Sequence, residues 1–110
     1  MEFIAQSKNV RVSPRKVRLV AAAVKKLSPA QAVEKLTFTA RSASLPILKT
    51  LKSAMANAQG SGKVKVEELK IKNILIDEGL KMKRRDTSHR PGREGLIQKR
   101  ASHITVVLEN

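Results

Sequence analysis

The spacing of hydrophobic positions changes period twice along the chain, dividing it into a strand, a helical stretch and a long terminal hairpin. Phe3 to Val12 (FIAQSKNVRV) partly alternates apolar and polar residues, as a half-buried strand does. From Ser13 the spacing becomes helical, with Val17, Val20, Ala21 and Val24 at i, i+3, i+4 and i+7 on one face and Arg15, Arg18, Ala22 and Lys25 opposite. Ser13-Pro14 is a start signal: the hydroxyl takes a free amide, and Pro at the first helical position has none to satisfy. This helix is expected to run to about Leu27. Ser28-Pro29-Ala30-Gln31 repeats the signal with Gln at the capping-box position and predicts a short helix ending near Leu36, anchored by Val33 and Leu36. A third helix is expected from Ala40 or Arg41 to Gln59, with Leu48, Leu51, Met55 and Ala58 inward and Gly60-Ser61-Gly62 ending it. Pro46 leaves its start open, being harmless in a first turn and a kink further in.

After Val64 to Glu68, a linker or strand start, the period returns to two. LKIKNILI from Leu69 to Ile76 and HITVVL from His103 to Leu108 read as strands; Leu69 to Lys72 alternates, and Ile74-Leu75-Ile76 suggests burial on both faces. Paired antiparallel, they make the segment between them one long hairpin, with its tip at Arg90-Pro91-Gly92-Arg93. From Asp77 to Pro91 is 14 residues, which at about 3.3 Å per residue is an arm of roughly 45 Å. A globule of this length has a radius of gyration near ~13 Å, so the arm must leave the body. Since a free two-stranded ribbon is marginal in water, it is expected to be ordered or held by a partner. The pattern predicts an α+β fold: three helices packed on a small three-stranded antiparallel sheet, with one long extended β-hairpin arm. One domain would cover residues 1–110, with the body at 1–78 and 101–110 and the arm at 79–100.

Charge identifies the class of partner. The 23 Lys and Arg outnumber the 9 acids, for a formal charge of +14, far into the range of nucleic-acid binders. Gln6 to Lys26 carries seven cations and no acid, Leu27 to Glu78 eight and five, and Gly79 to Arg100 eight and two. Two basic zones thus flank a balanced middle, where the core belongs. The arm's cations, Lys81, Lys83, Arg84, Arg85, Arg90, Arg93, Lys99 and Arg100, could not be buried unpaired; their partner is a polyanion. With two aromatics, Phe3 and Phe38, base stacking is not the main grip, and backbone and shape recognition of folded RNA is the consistent mode.

Catalytic readings are weak. There is no Cys, His89 and His103 have no zinc-ligand spacing, and Asp77-Glu78 point to opposite sides of a strand. Gly60-Ser61-Gly62 lacks a phosphate-loop context. No catalytic residue, metal site or cofactor is expected. The longest apolar run, Leu19 to Val24, is too short to span a bilayer, and the chain is expected to be cytosolic, with no membrane partner.

KVRLVA from Lys16, SAMANA from Ser53, DEG from Asp77, MKR from Met82, GR at Gly92-Arg93 and KRASHITVV from Lys99 occur in an order and spacing that resembles the bacterial large-subunit ribosomal protein twenty-two family. The resemblance implies a compact body on the large subunit near the exit of the nascent-peptide tunnel, and a hairpin running inward through rRNA to the tunnel wall. It implies arm contacts to rRNA from Lys83, Arg84, Gly92, Arg93, Lys99 and Arg100, and body contacts from Lys16 and Arg18. With Arg11 and Arg15 from the first basic zone, the other cations of the arm and the adjoining Ser102 and His103, the candidate RNA-binding set is Arg11, Arg15, Lys16, Arg18, Lys81, Lys83, Arg84, Arg85, Arg90, Gly92, Arg93, Lys99, Arg100, Ser102 and His103. The expected partners are large-subunit rRNA, neighbouring ribosomal proteins and, near the arm tip, the nascent peptide, the chain being a monomer within the ribosome. The alternative is an architectural DNA-binding protein that inserts a basic β-ribbon into a groove. It would dimerise and bind generic duplex DNA.

Overall fold

The two ends of the chain meet in one sheet. In the computed structural model, which describes the backbone of residues 1–85 and 96–110 and the side chains of residues 1–82 and 99–110, β1 (Glu2–Val10) pairs antiparallel with β3 (Leu96–Glu109). β3 pairs antiparallel on its other side with β2 (Lys70–Arg85), giving the order β1-β3-β2. Glu2 stands opposite Glu109, and the N-terminal amine donates to Asn110 Oδ1 at 3.0 Å. Because β3 is central, its inward set of Ser102, Ile104, Val106 and Leu108 is 0% exposed.

Three helices cover one face of this sheet: α1 (Pro14–Val24), α2 (Pro29–Phe38) and α3 (Ser44–Gly60). α3 lies over β1 and β3, α1 over β2 and β3, and α2 rests chiefly on α3. α1 buries the stripe its spacing predicts, Val17, Val20, Ala21 and Val24, together with Pro14. It stops short of Leu27, whose N–H instead reaches the Val24 carbonyl at 3.1 Å. Ser13 holds the cap position, but its hydroxyl makes no capping bond. Ser28 does, in a full capping box with Gln31. α2 outlasts its expected end at Leu36, and its buried contacts are Pro29, Ala32 and Leu36, with Val33 only half-buried.

α3 begins later than expected, at Ser44, whose hydroxyl bonds to the Arg41 carbonyl at 2.6 Å with that of Thr39 at 2.9 Å. Pro46 therefore falls in the first turn, where its missing N–H is not needed. Leu48, Leu51 and Ala58 are buried, joined by Ile47 and Ala54. A polar tie fixes the helix to the sheet: Ser7 donates to the Thr50 hydroxyl at 2.7 Å, and Thr50 donates to the Pro46 carbonyl at 2.8 Å. Asn57 donates to the Ile4 carbonyl at 3.0 Å, so part of the free edge of β1 is hydrogen-bonded and less open to another strand.

The helices cover one face only, and this corrects the reading of Ile74-Leu75-Ile76. Ile74 and Ile76 are buried, but Leu75 is 45% exposed. β2 changes phase at Lys72, since Ile71 stands opposite Leu108 and Asn73 opposite Val107. That extra residue moves the inward set from Leu69 and Ile71 to Ile74 and Ile76, and turns Leu75 outward. Lys72 pairs with Glu2 on the open face. Its hydrogen bond and charge hold the Glu2 carboxyl below the ordinary range and raise the Lys72 ammonium above its own. The pair's contribution is thus lost as pH falls through the lowered Glu2 value or rises through the raised Lys72 value. Both groups are solvent-exposed, so urea titrations across the carboxylate range are expected to show only a slight loss from this pair.

Two more irregularities mark the root of the arm. On β1, Lys8 and Asn9 face one residue of β3, with Asn9 at φ 56, a conformation Asn tolerates better than most residues. On β2, Gly79 and Leu80 face Ala101 alone. A Cβ on Gly79 would lie 3.1 Å from the Ala101 carbonyl carbon, so any side chain there would have to push the Ala101 backbone back. Bulges bend and twist a strand; paired here, they set the direction in which the ribbon leaves the sheet. Gly79→Val is expected to cost about 1–3 kcal/mol by overpacking, read as a lowered urea midpoint, with faster amide exchange at Leu80 to Met82 and Lys99 to Ala101.

Candidate nucleic-acid interface

Past the bulge, β2 and β3 continue as a two-stranded ribbon, paired from Lys81 and Arg100 to Arg85 and Leu96. The structure's principal extents of 62 × 23 × 17 Å reflect this elongation. Lys81 stands directly opposite Arg100, a like-charge pair that costs stability in a free protein. Glu78 offsets it only from the surface, at 3.5 Å from Lys81. Lys83, Arg84 and Arg85 belong to the paired backbone of β2. Their side chains, together with His89, Arg90, Gly92, Arg93 and the expected turn at 90–93, lie outside the described residues.

On the body, Arg11, Arg15, Lys16 and Arg18 are exposed along the end of β1 and the outer face of α1. Arg18 is not wholly free: its Nη2 donates to the Ile76 carbonyl at 3.0 Å. That bond ties α1 to the free edge of β2 and leaves the other guanidinium donors outward. Between body and arm lies a cleft of about 260 Å³ lined by Arg11, Val12, Ser13, Lys16, Ser42, Lys99 and Arg100. Arg100 shares the face of β3 that carries Ser102 and Ile104, so it overhangs the start of α1. No acid lines this cleft, and the ion pairs among the described residues, Lys72 with Glu2 and Lys81 with Glu78, involve none of its four cations.

Two of the predicted contacts, Ser102 and His103, make hydrogen bonds within the protein. Ser102 is 0% exposed, and its hydroxyl donates to the Val12 carbonyl at 2.5 Å. It presents nothing to a partner, and instead holds the end of β1 against the arm root. His103 is half-buried on the open face of the sheet, where its Nδ1 accepts the Asn9 N–H at 3.1 Å. That bond fixes the ring beside the β1 bulge and leaves Nε2 as the free donor. Ser42, in the connection between α2 and α3, lines the cleft and carries no sequence signal of its own. Phe38 is 82% exposed at the end of α2, so only Phe3 serves the core. Among the described residues, no three His, Asp or Glu side chains gather as a metal site, and no helix is long and apolar enough to cross a membrane.

Comparison with known proteins gives a consistent result over nearly the whole chain. The family model described as ribosomal protein L22p/L17e matches residues 5–109. The large ribosomal subunit protein uL22 of Akkermansia muciniphila is 41% identical over 108 residues, which is 98% of this chain and 96% of that protein.

Proposed function

The chain belongs to the ribosomal protein L22p/L17e family, and from that premise we propose that it binds large-subunit rRNA through one continuous basic surface and carries its arm into the peptide exit path. The family is a structural, non-enzymatic class, and its members are constituents of the large ribosomal subunit. The observation that carries this proposal is the cleft whose four cations, Arg11, Lys16, Lys99 and Arg100, have no acid among them, at the root of a ribbon whose paired strands carry further Lys and Arg. Surface cations so placed repel one another until a polyanion neutralises them and its counterions are released. A ribbon two strands wide fits between RNA helices, and its Lys and Arg serve phosphates on both sides. The body docks by α1 and the end of β1, the arm reaches inward, the tip residues around 90–93 approach the nascent peptide, and the bound protein supports subunit assembly as a monomer.

The test is sedimentation of native lysate through sucrose at low and then high salt, probing for this chain. Co-migration with large subunits through moderately high salt is the expected result. A chain that stays at the top of the gradient, or follows chromosomal DNA, would overturn the reading in favour of a DNA-binding ribbon.

A further inference from the structure

The cleft at the arm root is built differently from the rest of the basic surface. It gathers four cations and no acid from two parts of the molecule, Arg11 and Lys16 from the body and Lys99 and Arg100 from the arm, whereas the cleft beside Arg18 and Lys25 also holds Asp77 and the one beside Lys35 and Arg41 has those two cations alone. Its volume of about 260 Å³ is below the roughly 300–1,000 Å³ of pockets for drug-sized ligands, and its charge selects a small anion. Its hydroxyls, from Ser13 and Ser42, are donors suited to the oxygens of such an anion. The cleft also opens beside the two bulges that aim the ribbon, and beside Ser102, which ties β3 to Val12.

Resting on the RNA-binding reading above, we infer that this cleft clamps one backbone phosphate of the RNA between body and arm, so that a single phosphodiester fixes the direction of the ribbon. Arg11 approaches the phosphate from the body and Arg100 from β3, and each guanidinium offers paired donors to its oxygens. Lys16 and Lys99 border the site as point charges. Without the phosphate, the four cations oppose closure of arm onto body; with it, they draw the two together.

A shared phosphate has a signature that a diffuse basic patch lacks. In the full chain, Arg11→Gln and Arg100→Gln are each expected to weaken large-subunit rRNA binding on the order of tenfold, as loss of a charge-assisted contact does. The double variant should add little to either, because both act through one ligand. Its salt slope should fall by about 0.7 to 0.9, the value for one phosphate. Lys52→Gln with Lys63→Gln, the same charge change on and just beyond α3, should leave affinity within about threefold. Both replaced arginines are exposed, and Arg100→Gln also relieves the repulsion from Lys81, so urea midpoints should not fall below the parent's. Inorganic pyrophosphate should shift the amide resonances of Lys16, Ser42, Lys99 and Arg100 along one saturable curve, and not in the double variant. Additive losses, equal losses from the control pair, or pyrophosphate shifts spread over every basic residue without saturation would overturn the clamp and leave RNA binding standing. Failure of the parent chain to bind rRNA at all would instead remove the reading on which the clamp rests.

Discussion

Replacing Arg84, Arg93 and Arg100 together with glutamine is expected to weaken large-subunit rRNA binding and to flatten its salt dependence. Arg84 and Arg100 stand on the two paired strands of the ribbon, and all three arginines belong to the stretch that carries eight cations and two acids. Each lost phosphate contact lowers the log–log slope by about 0.7 to 0.9, so three lower it by roughly 2 to 3. By the same law, a slope smaller by about 2.4 forfeits roughly a hundredfold of the affinity gained between 1 M and 0.15 M salt. Filter binding to rRNA transcripts at four or five salt concentrations measures both quantities. The fold should persist, because the arm's charge contributes repulsion rather than cohesion to the free chain, as the opposed Lys81 and Arg100 illustrate. A slope unchanged within error would take the arm off the binding surface and leave α1 and the end of β1 to account for the affinity.

How far the chain could be read in advance depended on whether each feature is local. The α1 stripe of Val17, Val20, Ala21 and Val24, the Ser28 capping box and the alternation within each of the two runs that become β2 and β3 are set by residues within a few positions of one another, and the structure has them. The start of α3 was open because α2 runs on to Phe38 and Ser44 recaptures the chain by bonding to Arg41, an arrangement that depends on how two helices meet. Leu75 was misread for a related reason. Three apolar residues in a row are consistent with burial on two faces, and only the partner strand reveals that Lys72 is an extra residue and that one face stays open.

The candidate site divides the same way. Its cations are visible as zones of composition, but the cleft is not, because Arg11, Ser42 and Arg100 are far apart in sequence and are joined only when β1 and the arm root flank the start of α1. Ser102 looked like a phosphate contact beside Lys99 and Arg100; alternation along β3 instead turns it into the core, where its hydroxyl needs the Val12 carbonyl. Gly79 gave no warning either, since its requirement comes from Ala101 across the ladder. Features that one strand imposes on another are what the sequence pattern, read along a single chain, leaves undetermined.

Leu51→Ala should have the largest effect on the isolated protein, with an expected loss of about 2–5 kcal/mol. Leu51 is 0% exposed on the face of α3 that covers β1 and β3, beside Ile47, Ala54 and Ala58. Small neighbours such as Ala54 and Ala58 cannot reach into the space a leucine leaves, so the cavity closes poorly and the upper part of the range applies. Against the ~5–15 kcal/mol typical of a domain, this removes a large share of the free chain's stability, and urea denaturation followed by circular dichroism reads it directly. A loss below about 1 kcal/mol would mean that α3 does not close the core. The same variant should still enter large subunits, because a ligand that binds only the folded state adds RT ln(1 + [L]/Kd) to its stability. The two substitutions therefore separate what the body and the arm contribute. The arginine variant folds and binds weakly, whereas Leu51→Ala is destabilised alone and is rescued on the RNA.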